Sequence, residues 1–172
     1  MNNPTFIFLL SLLMLTTCVI AQNNLQPIAY RGKMGVADQR GLLTVPALYD
    51  DVQPTPAEYY DREKNTWKPS ERQFFKVRLD NQYGVFDGAG KKVLNTQYSD
   101  VQFGYADKGS SVVFAARYQG LYAIFNPKGE QLTPFKYHEV WLGDFGEGNI
   151  ALARKDNKRY WLIDTKGKEH KY

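Results

Sequence analysis

Hydrolysis needs a nucleophile, a base to activate it and a group to orient the base, unless a metal replaces them. The chain offers one cysteine, Cys18, and two histidines, His138 and His170, that stand far apart in sequence. Zinc would require His or Cys ligands clustered at short spacing, and none are. Asp50-Asp51 is an acid pair of the kind a glycosidase or a calcium site uses. Yet Ser99-Asp100 and His138-Glu139 hold the same place in similar segments, so the acids read as strand-end residues that pair with Lys or Arg. Glycoside cleavage would need two carboxylates to converge in space. The glycines at 84, 88 and 90 form no phosphate loop, because a strand rather than a helix N-terminus follows them.

Aromatic side chains are the remaining chemical resource, at 15% of the chain. Tyr83, Tyr122 and Tyr160 recur in register, as do Tyr49, Tyr98 and Tyr137, and these read as core or inter-repeat contacts. Tyr59, Tyr60, Trp67, Phe103, Tyr105, Trp141 and Phe145 fall outside the register. Of these, Tyr59, Tyr60, Trp67, Trp141 and Phe145 are the candidate binding residues, suited to stacking on a sugar ring or to an apolar protein contact.

The elements that position these residues follow from an internal repeat. Tyr83-Gly84-Val85-Phe86-Asp87, then Gly90, then Tyr98-Ser99-Asp100-Val101 has counterparts beginning at Met34, Tyr122 and Tyr160. Gly41, Gly90, Gly129 and Gly167 lie 49, 39 and 38 residues apart. A period near 40 marks an architecture whose units are stable only when stacked. In each copy the short apolar run alternates with period two, Tyr83 and Val85 on one face and Gly84 and Phe86 on the other, which predicts a central strand covered on both sides. Asp38 with Gly41, Asp87 with Gly90, Asn126 with Gly129 and Asp164 with Gly167 are turn builders: the carboxylate or amide caps backbone N–H groups and glycine takes a left-handed φ. With a strand before the motif and one after the turn, the unit is a three-stranded antiparallel meander. The chain is then all-β, about 3.5 units and roughly eleven strands, arranged as an open twisted stack or a small propeller-like closure. The units span 25–53, 74–103, 112–141 and 149–172, the last of them truncated. The first period is longer because of Pro54 to Arg72, a loop by composition that carries Pro, charge and three aromatics.

Residues 1–21 precede this single domain of residues 22–172. An apolar run from Phe6 to Leu15 and the border Val19-Ile20-Ala21 read as a secretory signal peptide, too short for an ordinary membrane span. Lipidation at Cys18 is the less favoured route. Cleavage after Ala21 leaves no cysteine, so the exported domain must be stabilised by its own core. Residues 22–149 carry 15 basic and 15 acidic side chains, and the formal net charge of +4 lies wholly in residues 150–172. That excess reads as the polar outer face of a capping unit, and the balance elsewhere argues against nucleic acid.

The pattern aromatic-Gly-hydrophobic-aromatic/aliphatic-Asp, then Gly, then Tyr-x-x-hydrophobic resembles the WG repeat family, also called KWG repeats, over roughly residues 25–172. The Trp-Gly pair itself is degenerate here: Met34-Gly35, Tyr83-Gly84, Tyr122-Ala123 and Tyr160-Trp161. The resemblance implies an all-β repeat protein, frequently bacterial and exported, that serves as a binding module and has no common catalytic residues. The expectation is therefore a periplasmic or secreted module without enzyme activity, metal or cofactor, whose partner is another cell-envelope protein. The alternative is a glycan-binding module that uses the off-register aromatics.

Overall fold

The computed structural model describes residues 25–56, 58–61, 64–70, 72–106, 111–156 and 159–172. The proposed signal peptide and Cys18 lie outside these residues. The described chain is all β, with 16 strands in small antiparallel sheets. The first sheet contains β1 (Gln26–Tyr30), β2 (Lys33–Ala37) and β3 (Leu43–Tyr49). The second begins with β4 (Asp51–Pro54), is interrupted by the hairpin β5 (Glu58–Asp61) and β6 (Thr66–Pro69), and resumes with β7 (Phe74–Leu79), β8 (Gln82–Asp87) and β9 (Lys92–Tyr98). The third holds β10 (Asp100–Ala106), β11 (Ser111–Tyr118) and β12 (Leu121–Phe125), and the fourth β13 (Glu139–Leu142), β14 (Asn149–Arg154), β15 (Tyr160–Asp164) and β16 (Glu169–Lys171).

The meander repeat is as the period predicts, but the full unit has four strands. Each Tyr-x-x-Val segment straddles two sheets instead of ending one unit. Tyr49 closes β3, and Asp51 and Val52 open β4, which pairs with β7. The amide between them makes the crossing: Asp50, Ser99 and His138 donate their N–H groups to the carbonyls of Arg78, Arg117 and Arg154. The acids that follow then stand directly across from arginines, Asp51 from Arg78, Asp100 from Arg117 and Glu139 from Arg154. Opposed charges in cross-strand pairs favour this register over a slipped one. The fourth sheet also has a return strand, β16, paired to β15 through Leu162–His170.

Turn chemistry repeats unit by unit. The Oδ1 atoms of Asp38, Asp87, Asn126 and Asp164 each accept two backbone N–H groups, from the residues two and four places on, at 2.8–3.0 Å. At the opposite end of the sheets, Arg31-Gly32, Asp80-Asn81 and Gln119-Gly120 all have positive φ at both positions. Two-residue turns of this kind match the twist of the strands they join.

Three clusters form the core, one between each pair of successive sheets. The register tyrosines make these junctions. Tyr49 meets Phe86 edge-on at 5.7 Å, Tyr98 meets Phe125 at 5.9 Å, and fully buried Tyr137 lies in one cluster with Ile163. Turn glycines complete them. A Cβ on Gly90, Gly129 or Gly167 would stand 2.1–2.2 Å from the carbonyl oxygen of Thr44, Val93 or Leu132 in the preceding sheet. These positions therefore need glycine twice over, for a φ near +80° and for backbone contact between units. Among the described residues the strands of the first sheet do not pack on those of the fourth as successive sheets pack on one another, so the sheets form an open stack.

The third unit departs from the first two. Gly35 and Gly84 leave room for the return strand to bulge inward: a Cβ on Gly84 would lie 2.8 Å from the Thr96 hydroxyl and 2.9 Å from the Leu94 carbonyl. Ala123 supplies that Cβ in the third copy. Its return segment is accordingly held by two isolated bridges, Tyr122–Tyr137 and Phe125–Gln131, instead of a continuous strand.

Candidate binding surface

The stretch from Pro54 to Arg72, expected as a loop, contains the β5–β6 hairpin. Asn65 at φ +51° forms its turn, and Tyr60 pairs across it with Trp67. Aromatic residues opposite each other on a pleated ribbon outweigh the Pro and charge content that suggested a loop. The Tyr60 and Trp67 rings meet edge-on at 5.4 Å, and the Tyr60 hydroxyl donates to Asn65 Oδ1 at 2.5 Å.

Tyr59 points the other way and anchors the hairpin. Its ring lies 6.0 Å from that of Tyr105 of β10, in the third sheet. The Tyr105 hydroxyl donates to the Pro56 carbonyl at 2.6 Å and lies 3.1 Å from the Ser70 hydroxyl. Burial pushes the Tyr105 pKa up, with the Ser70 contact opposing, so the phenol stays a neutral donor at this seat. Below the hairpin, the buried Thr55 hydroxyl accepts the Phe74 N–H and ties the insertion to β7. With its inner side so fixed, the hairpin turns Tyr60 and Trp67 outward at 42% and 64% exposure.

Trp141 and Phe145 belong to a different region, the fourth sheet and the loop after β13. Trp141 is exposed and meets the Tyr160 ring at 5.8 Å. Phe145 is exposed in the Gly143–Gly148 connection. Among the described residues no ring contact links the Tyr60–Trp67 pair to the Trp141–Tyr160 pair. Phe103 packs inward on Phe114.

The ionisable residues are engaged in holding the sheets. Asp50 accepts Lys33 Nζ at 2.6 Å and the Asp80 N–H at 2.9 Å, and these contacts lower its pKa. Its neighbour Asp51 takes the Gln53 amide instead. Glu139 is salt-bridged to Arg154, while His138 is exposed. His170 Nε2 lies 3.0 Å from Asp164 Oδ2. Among the described residues no three His, Cys, Asp or Glu side chains are grouped as a metal site. No described helix is long and apolar enough to cross a membrane.

One polar cluster escaped the reading of the sequence. Glu169 Oε1 accepts the Tyr137 hydroxyl at 2.7 Å and Lys136 Nζ at 2.8 Å, and Oε2 accepts Lys155 Nζ at 2.5 Å. Burial opposes the charge on Glu169, but Lys136, Lys155 and Tyr137 together outweigh it and bring its pKa down to about 2. Burial, reinforced by Glu169, raises the Tyr137 pKa. The cluster joins the return segment of the third sheet to β16, so it serves the stack. Its only sequence signal was the Tyr137 register, because Tyr137 and Glu169 lie 32 residues apart.

Residues 122–158, which run from β12 through β14, match the WG containing repeat family. The chain carries a WG repeat. Tyr122 and Asn126 of that matched WG unit have register counterparts in Tyr83 and Asp87, with the same turn bonds, so the geometry extends the repeat beyond the matched span. No curated protein matches the chain.

Proposed function

We propose that this WG-repeat chain is an exported, non-catalytic binding module that docks on another cell-envelope protein through the β5–β6 hairpin. The observation that carries this reading is the Tyr60–Trp67 pair, exposed on an element that the repeat itself does not require. Holding two large rings in water is unfavourable without a partner, and the Tyr59–Tyr105 seat fixes the hairpin so that little order is lost on docking. Export rests on the Phe6–Leu15 apolar run and the Ala21 border.

Affinity capture from envelope extract tests the reading, with the wild-type chain compared with Trp67→Ala and Tyr60→Ala. A protein retained by wild type and lost with both variants is the expected result. Retention unchanged in both variants would remove the hairpin from the function. Co-sedimentation with insoluble cell-wall polysaccharide, abolished by Trp141→Ala, would replace it with the glycan reading. N-terminal sequencing of the cell-processed protein tests export separately, with Gln22 as the expected first residue.

A further inference from the structure

The junction between the third and fourth sheets carries more charge than a junction needs. In the first junction the Tyr49 phenol bonds the neutral side chain of Thr96, and in the second Tyr98 lies against Phe125 and Phe135. In the third, Tyr137 meets Glu169, and Glu169 holds two ammonium groups, Lys136 at 2.8 Å and Lys155 at 2.5 Å. One cation is enough to neutralise one carboxylate. The repeat does not dictate either lysine. The residue before each register tyrosine is Leu48, Gln97 or Lys136, and the residue after Arg78, Arg117 and Arg154 is Leu79, Tyr118 or Lys155.

A third lysine joins the group. Lys171 stands directly across from Trp161, and Glu169 across from Ile163, so all four share one face of the β15–β16 pair. That face is turned to the third sheet, because Ile163 and Trp161 pack into the core cluster of this junction. Lys155 lies 4.5 Å over the Trp161 ring, and Trp161 takes the place of Gly35, Gly84 and Ala123 in the earlier units. Lys171 is exposed and makes no ion pair among the described residues. Of the neighbouring acids, Glu139 is salt-bridged to Arg154, and Asp156 is followed in the same turn by Arg159. Three ammonium groups therefore face one carboxylate, an excess of two positive side-chain charges. Glu169 fixes its lysines without using them up. Each ammonium has three N–H donors and gives one to the carboxylate, and 34% of the Lys136 side chain and 31% of Lys155 remain open to solvent.

We infer that Lys136, Lys155 and Lys171 form an anion site at the rim of this junction, and that its ligand carries a phosphate group. A phosphate monoester brings about −1.5 to −2 charge and three acceptor oxygens, which matches the excess and the number of ammonium groups. A carboxylate brings one charge and two oxygens, and Glu169 already fills that role. Because Glu169 holds Lys136 and Lys155 in place, little side-chain freedom is lost when the anion binds. The site lies on other strands than the β5–β6 hairpin and is independent of what the hairpin docks on.

NMR titration of the protein as the cell processes it tests this, with inorganic phosphate replacing chloride at constant ionic strength. Saturable shifts confined to the amides of Lys136, Lys155 and Lys171 and the Trp161 indole are the expected result. Lys171→Gln, which removes no side-chain bond of the fold, is expected to raise the Kd roughly fivefold, and Lys155→Gln to raise it further. Lys91→Gln, at an exposed lysine of the second sheet, is expected to leave the Kd unchanged. Phosphatidylcholine vesicles containing phosphatidic acid separate the sources of the phosphate. Co-flotation lost with Lys171→Gln assigns it to a lipid headgroup, and saturable phosphate binding without co-flotation assigns it to a soluble compound. Shifts that do not saturate overturn the inference, as does a Kd that Lys91→Gln raises as much as Lys171→Gln. So does a hexaglutamate peptide that binds the same residues more tightly than phosphate, which would make this a surface for an acidic protein segment. Should Lys155→Gln loosen the fold by circular dichroism, Lys171→Gln alone decides.

Discussion

Gly41 and Gly129 occupy the same turn position with nearly the same φ, +79° and +84°, yet only Gly129 is pressed against another backbone. A Cβ at 129 would fall 2.2 Å from the Val93 carbonyl oxygen, whereas at 41 it would enter open space. The contrast separates two demands made on one residue. Local turn geometry asks for glycine in every unit, and stacking asks for it again only where a sheet precedes. The turn keeps its shape with or without a preceding sheet, and stacking adds a close backbone approach that only glycine admits.

Substitutions at these glycines break the comparison most sharply. Gly129→Ala carries both left-handed strain and a backbone clash, and is expected to cost ~3–5 kcal/mol in urea unfolding. Gly41→Ala carries the strain alone and should cost ~1–2 kcal/mol. Equal losses at the two sites would show that stacking adds nothing.

Glu169 gives the next largest effect and a pH signature. Its folded pKa of about 2 lies below the ordinary 4.5. The unfolded chain therefore takes up the proton first as pH falls, and the stability from this carboxylate is complete above about 4.5 and lost progressively toward about 2. Glu169→Gln should lower neutral-pH stability by ~1–3 kcal/mol and flatten the melting-temperature profile across that window. An unchanged profile would remove Glu169 as the tie between the third and fourth sheets. Trp67→Ala should have the smallest effect on folding, within ~0.5 kcal/mol of wild type, because its exposed ring supports no sheet junction.

The turns were legible because Asp87 and Gly90, like their counterparts, act over four residues, and local chemistry can be read along a line. The alternation of Tyr83, Gly84, Val85 and Phe86 likewise assigned each side chain to its face. Trp67 was legible as an exposed aromatic but not as part of a hairpin, since Pro54, Pro56 and Pro69 hid the strand pattern that pairing with Tyr60 supplies. Tyr105 fell outside the repeat register, and nothing around it in sequence indicates that it seats Pro56, 49 residues away.

By itself the sequence determined a stacked all-β repeat, the position of each turn and the two faces of each central strand. Those follow from periodicity and from bonds within a few residues. Only the tertiary structure decided that Tyr-x-x-Val passes from one sheet to the next, that Gly90, Gly129 and Gly167 touch the backbone of the preceding unit, and that Tyr59 seats the hairpin on Tyr105 of the third sheet. Each depends on which distant residues come to lie across a strand or between sheets, and that is set by the packing of the whole stack.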